Sequence, residues 1–343
     1  MSSTLATPTE LPLDTAAVRA TVRRILPPAI TGQEWVLLGV IAVLWVLLGF
    51  STPAFLTPGS LQPLLVAVAP IALIGVGMTF IILTGGIDVS VGGAIMVCAV
   101  ITAKVMVGAD VPLIVSVLLA IAVGALLGLL NGFLIAYGRV HAIIITFGTA
   151  NLFQFLGLRI FGSSTVNGIP QTLEVFGRGE AGRTFGIPHS FAITILVVII
   201  GWWYLRYTRG GRHLYAIGGN ENAARLAGVR VQGRVMSTYA VTGALIGLAA
   251  CFIIAAGTSS LDQSVGSGRE LAVIAAVVIG GTSILGGRGS VVGTLFGAIL
   301  VQTVLSGVTQ LGWPSQLGFL FVGLFIIIAV GTDLLRQKAR KKK

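Results

Sequence analysis

The sequence predicts an all-α fold, a polytopic membrane helix bundle of about ten spans with cytoplasmic N- and C-termini and broken, Gly-rich helices in two repeat-like halves. Three observations carry that expectation. Hydrophobic residues make up 55% of the 343-residue chain and charged residues 10%, with a mean hydropathy of +0.98, so a soluble domain of this size could not build its water-facing surface. Apolar stretches of spanning length recur from one end of the chain to the other. Glycine pairs interrupt two of them in the same manner.

Taken in order, residues 1–34 read as a cytoplasmic tail. The segment is polar, and Arg19, Arg23 and Arg24 stand close before the first apolar stretch. Pro8, Pro12, Pro27 and Pro28 oppose a long helix, and no short apolar core with a small-residue cleavage site occurs. The transmembrane domain is expected over 35–335, with spans near 35–50, 63–83, 92–107, 111–134, 143–161, 191–207, 236–256, 271–285, 291–308 and 317–335. Of these, 271–285 is short and could instead be re-entrant, which requires surrounding protein to shield its backbone. Residues 336–343 form a basic tail whose Lys341, Lys342 and Lys343 suit anionic headgroups of the lipid bilayer. Cys98 and Cys251 both fall in apolar spans and read as small buried hydrophobes.

An even number of spans puts both termini on one side, and the 22 Lys and Arg residues say which. Seventeen fall on the face shared with the termini, among them Arg139, Arg206, Arg209, Arg212, Arg225, Arg230, Arg234 and Arg288. Lys104, Arg159, Arg178, Arg183 and Arg269 fall on the other, so the positive-inside rule makes the first face cytoplasmic. The net charge of +11 is thereby explained by topology, and no nucleic-acid recognition module accompanies it.

Two glycine clusters lie within the membrane portion: ILTGGIDVSVGGAIM over 82–96 and VIGGTSILGGRGSVVGTLFGAIL over 278–300. The first carries Gly85, Gly86, Asp88, Ser90 and Gly92; the second carries Gly280, Gly281, Gly286, Gly287 and Gly289. Corresponding breaks in two halves point to a transporter built from repeats, with the discontinuities near the pathway, although small residues also serve ordinary helix packing. Asp88 suits capping of the helix that follows more than a proton or cation site, since a relay wants partners.

The loop 208–234 is polar and basic, and its run GGNENAARLAG over 218–228 describes a short capped helix. Asn220 can cap it, Glu221 suits its positive end, Arg225 its negative end, and Gly228 can terminate it. Gly219 precedes the cap, and the small Ala223 and Ala224 leave a smooth face that could lie against another protein. On the opposite side, the loop 162–190 with Glu174, Arg178, Glu180 and Arg183, and the segment 259–270 with Asp262, Arg269 and Glu270, could receive a soluble partner through mixed charge.

Four runs stand in one order: GMTFIILTGGIDVSVGG from Gly77, GLLNGFLIAYGRVHAIIITFGT from Gly128, GRHLYAIGGNENAARLAGV from Gly211 and ELAVIAAVVIGGTSILGGRGSVVGTLFGAIL from Glu270. Together they resemble the membrane permease subunits of bacterial ATP-binding-cassette importers for monosaccharides, the ribose, xylose and arabinose permease family, over about 35–335. One departure is His141, where the family commonly has proline after GRV.

The resemblance implies a multi-pass protein of the bacterial cytoplasmic membrane. A second permease copy or homologue would complete the pore, a cytoplasmic ABC ATPase would drive it, and an extracytoplasmic sugar-binding protein would deliver the monosaccharide or polyol. Residues 218–228 would be the coupling helix that inserts into the ATPase. The chain itself would bind no cofactor: ATP belongs to the partner ATPase, and no G-x-x-x-x-G-K-[ST] loop occurs here. Asn131, Asn151, Gln154, Gln302 and Gln310 offer hydroxyl partners or interhelical hydrogen bonds. An ion-gradient-driven secondary transporter would explain the breaks but leave the docking helix idle. An intramembrane enzyme lacks a Ser–His or two-carboxylate set, because His141, His189 and His213 lie in or beside loops.

Overall fold

The computed structural model describes residues 32–341 except 110, 163, 164, 178 and 258, with backbone alone at 171 and 332–341. Most of the expected N-terminal tail and the last two lysines lie outside the described residues. The helices are α1 (Gly32–Ser51), α2 (Pro58–Leu83), α3 (Val91–Ala109), α4 (Leu113–Gly138), α5 (Ala142–Phe161), α6 (His189–Tyr207), α7 (Arg209–Gly219), α8 (Glu221–Leu226), α9 (Val231–Ala256), α10 (Arg269–Ile279), α11 (Val291–Gln310) and α12 (Gln316–Lys341). Among the described residues, strand is confined to two short antiparallel pairs. β1 (Val166–Asn167) pairs with β4 (Ser260–Leu261), and β2 (Arg183–Thr184) pairs with β3 (Ile187–Pro188).

Among the described residues, eight helices are long and apolar enough to cross a bilayer: α1 to α6, α9 and α11. The apolar part of α12, Gln316–Gly331, is shorter. Of the two readings left open for 271–285, the short one fits: the stretch is helical only as α10, which ends at Ile279 and is about 16 Å long, half a hydrocarbon core. Backbone hydrogen bonds from Gly281 to Val278 and from Thr282 to Val277 stop it there. Gly281, at φ +94°, supplies the left-handed conformation this stop requires.

Bundle architecture follows side-chain size. In α2, 89% of the apolar window is buried, against 22% in α1 and α5, whose outer faces carry exposed Trp35, Val43, Ile144, Phe147 and Phe155. The central helix α2 packs on α6, α9, α10 and α11. Interhelical hydroxyl bonds join Thr79 to Thr294 (2.7 Å), and Thr194 donates to the Ala69 carbonyl (3.1 Å). Helices α4 and α9 make the closest pair. Gly124 and Gly128 on α4 meet Gly243 on α9 so tightly that a side chain would strike the facing backbone. Cys98 and Cys251 are buried in one apolar cluster beside this pair, as their apolar contexts predict.

His141 occupies the N-cap position of α5 at φ −55°, a value proline also adopts, so the departure from the family pattern leaves the helix start in place.

Candidate coupling site

Helix α8 forms as its sequence dictates. The Asn220 side chain accepts from the Ala223 amide at 3.0 Å, satisfying a first-turn donor. Glu221 and Arg225, one turn apart, pair at 2.7 Å on the exposed surface. At the other end the Val229 amide donates to the Ala224 carbonyl and the Gly228 amide to that of Arg225, both at 3.0 Å, with Gly228 at φ +82°. Those two bonds are the Schellman closure that glycine permits.

The expected smooth face is corrected in one respect. Ala224 points inward, 4% exposed, against Ile217 and Val231, while Ala223 remains on the surface. A second residue shares that surface: Leu226 is 90% exposed, a large apolar side chain on an otherwise polar loop. Ala223, Leu226 and Ala227 are therefore the apolar positions α8 presents outward. The signal for Leu226 was present in the sequence as a lone leucine after Arg225.

Helix α7 ties α8 to the bundle. Thr208 caps it by accepting from the Gly211 amide at 3.0 Å, and its apolar side buries Leu214 and Ile217. Its last turn brings the two glycine clusters together. The Gly287 amide donates to the Leu83 carbonyl at 3.0 Å, joining the end of α2 to the loop between α10 and α11. Gly218 lies on that bond, and a Cβ there would collide with both the Leu83 oxygen and the Gly287 nitrogen. A Cβ on Gly286 would lie 3.1 Å from the Gly85 nitrogen, and one on Gly287 3.0 Å from the Gly219 nitrogen. Tyr215 adds a hydrogen bond from its hydroxyl to the Gly289 carbonyl at 2.9 Å. Both breaks and the α7–α8 loop thus meet backbone to backbone, a junction possible because Gly85, Gly218, Gly219, Gly286 and Gly287 carry no side chain.

The first break also carries a buried polar network. Asp88 accepts from the Ser90 amide (2.8 Å) and hydroxyl (2.6 Å), and Asn131 of α4 donates to that hydroxyl at 2.8 Å. Thr146 of α5 donates to the Ile87 carbonyl at 3.1 Å. Asp88 therefore braces the turn entering α3 instead of accepting from the helix's own first-turn amides. Beside Gly86 the buried Tyr239 hydroxyl has no hydrogen-bond partner.

The remaining sequence candidates separate. Gly280 packs on the Gly293 backbone, and Gly281 on the Gln33 side chain of α1. Gln310 is taken up by Ser306 and Ser60. Asn151 and Gln154 stay exposed on α5, Asn151 donating to the Phe147 carbonyl at 2.9 Å. The two outward segments join through β1 and β4, and Gln263 donates to the Gly162 carbonyl at 3.0 Å at the end of α5. The segment 259–270 does not stay at that end, however. Gly266 rests on Gly92, beside Gly93, which packs on Ala150 and Gln154 in the middle of α5. Arg269 and Glu270 hence start α10 inside the bundle, where the expectation had placed them in an outer loop. His189 clamps the outer loop through Thr184 and the Val175 carbonyl. Burial, together with Arg234, Arg212 and Arg209, holds the His213 imidazole below its ordinary value.

Curated relatives align over most of this architecture. The ribose import permease of Escherichia coli (strain K12) is 38% identical over 287 residues, covering 83% of this chain and 89% of that protein. The fructose import permease of Rhizobium meliloti is 34% identical, covering 81% and 79%. The D-allose transport system permease of Escherichia coli (strain K12) is 31% identical, covering 87% and 91%. No solved structure matches. Residues 60–330, from α2 into α12 and including both breaks and the α7–α8 loop, match the permease component of the branched-chain amino acid transport system, and the chain belongs to that permease family.

Proposed function

We propose that the protein is the membrane-spanning subunit of an ATP-binding-cassette importer that moves a monosaccharide or related polyol into the cytoplasm. It is a multi-pass protein of the bacterial cytoplasmic membrane. A separate ATPase on the α7–α8 side drives it, an extracytoplasmic binding protein delivers the sugar, and a second permease copy or homologue completes the pore.

One observation carries this reading: α7, which holds α8, sits directly on the backbone of both helix breaks at Leu83, Gly286 and Gly287. Displacing α8 by an ATPase would move those breaks without any intervening side chain, the close contact that a two-state rearrangement needs. The sugar-import relatives support the cargo class. Asn151 and Gln154 on the exposed side of α5, beside the polar segment 262–268, support a pathway wall there, since exposed amides halfway along a span are costly against lipid. The ion-driven alternative has less to stand on, because Asp88 is taken up by Ser90.

Reconstitution with ATPase and binding protein in proteoliposomes, without ion gradients, tests the reading. Leu226→Asp changes a side chain that is almost fully exposed, so insertion should be normal while sugar uptake and sugar-stimulated ATP hydrolysis fall at least tenfold. Wild-type coupling in that variant would refute docking through α8.

A further inference from the structure

Between α2, α6 and α9 lies a cavity of about 510 Å³ whose far end is apolar and whose near end is charged. Val76 and Phe80 of α2 form its floor, and Val241 and Leu245 of α9 its upper wall. Ile200 and Trp203 of α6 line it while remaining about half exposed (53% and 54%), so it opens sideways, away from the bundle. From Arg234 to Leu245 it runs about 16 Å along α9, the reach of much of an acyl chain.

The near end sits at headgroup depth by two independent signs. Trp202, Trp203, Tyr204 and Tyr207 cluster at the end of α6, the aromatic belt of a membrane interface, and the Arg206 guanidinium lies over the Trp202 and Tyr207 rings at 5.8 and 5.7 Å. Next to them Arg234 lines the cavity mouth, and Arg209 and Arg212 stand in the first turn of α7, Arg212 donating to the Tyr207 carbonyl at 3.5 Å. The ion pairs among the described residues are Arg183–Glu180 and Arg225–Glu221, so these three arginines pair with no carboxylate among those residues.

We propose that this cleft holds one anionic phospholipid, an acyl chain between α6 and α9 and its phosphodiester against Arg234 with Arg209 and Arg212. Charge complementarity selects the lipid class. A zwitterionic lipid would bring its own cation to a mouth already crowded with guanidinium groups, whereas a net negative headgroup neutralises them. The apolar walls select a lipid over a free phosphate, because a cleft that opens into the bilayer is filled by an acyl chain, which a free phosphate lacks. The lipid would pack beneath Leu214 of α7, the helix that carries the coupling segment.

Native mass spectrometry of the purified chain, titrated with dioleoylphosphatidylglycerol or dioleoylphosphatidylcholine, tests this without any transport readout. The wild type should retain the anionic lipid preferentially. Arg234→Gln should weaken that retention about fivefold, and Val241→Trp, which fills the cleft, should abolish retention of either lipid. Equal retention of both lipids by the wild type, or unchanged phosphatidylglycerol retention in Arg234→Gln, would overturn the proposal. So would disulfide dimerisation of Ser237→Cys in membranes, because the cleft would then be covered by a second copy.

Discussion

The break after α2 and the break after α10 close their helices with the same pair of backbone hydrogen bonds. Gly85 and Gly86 reach back to Ile82 and Ile81 in one, and Gly281 and Thr282 reach back to Val278 and Val277 in the other. Their surroundings differ. The first is braced by buried side chains, Asp88, Ser90 and Asn131, with Thr146 on its backbone. The second holds its turn through backbone bonds, Ser283 donating to the Arg288 carbonyl at 2.9 Å and Gly286 to that of Ser283 at 3.0 Å, with Tyr215 on the Gly289 carbonyl and Leu285 64% exposed. Side-chain networks in a low-dielectric interior are costly to rearrange, whereas a glycine turn at the surface changes dihedrals cheaply. The first break is accordingly the stiffer of the two contacts beneath α7 and the second the more compliant.

That contrast can be broken by substitution. Asp88→Ala strands two Ser90 donors in the core and should lower stability by about 2–3 kcal/mol. Thermal unfolding in detergent measures it, and a shift no larger than that of a surface substitution would remove the stiffer contact from the comparison. Gly287→Ala forces alanine to adopt φ +73° beside the Gly219 nitrogen. A cost of about 1–2 kcal/mol is expected, with most sugar uptake lost from a protein that still inserts; normal uptake would show that the second break does not transmit.

Finer effects sharpen the comparison. The Tyr239 hydroxyl beside Gly86 has no partner, so Tyr239→Phe should change stability by less than about 1 kcal/mol and leave uptake intact; a large loss would mean that the hydroxyl belongs to the bracing network. His213 should give the smallest effect. Its proton affinity is lower in the fold than its ordinary value of 6.5, so the stability it contributes is present above that pH and lost as pH falls below it. Protection factors across α7, corrected for the intrinsic pH dependence of exchange, should fall below pH 6.5, and His213→Gln should flatten that profile.

Much of this was legible in local sequence. Asn220, the Glu221–Arg225 pair and Gly228 specify α8 because capping, charge spacing and left-handed glycine act within one turn. The eight long spans were equally visible, since apolar length alone places a helix in a bilayer. What stayed hidden depends on approach between distant segments. The inward turn of Ala224 follows from Ile217 and Val231 closing over it, a matter of how α7 and α9 cross. Nothing local marks Gly218, more than Gly219, as the glycine that must remain bare, because the Leu83 carbonyl that forbids a side chain lies far back along the chain.

The short α10 shows the same division. Its apolar run reads as a span, but the path of 262–268 into the bundle beside Gly92 decides where the helix starts. The sequence by itself determined membrane residence, the long helices, the capped segment and the presence of two glycine breaks, because hydrophobicity and backbone preference are local. Only the tertiary structure decided that both breaks and the loop helix converge on one junction, because contacts between backbones leave no pattern in the side chains that form them.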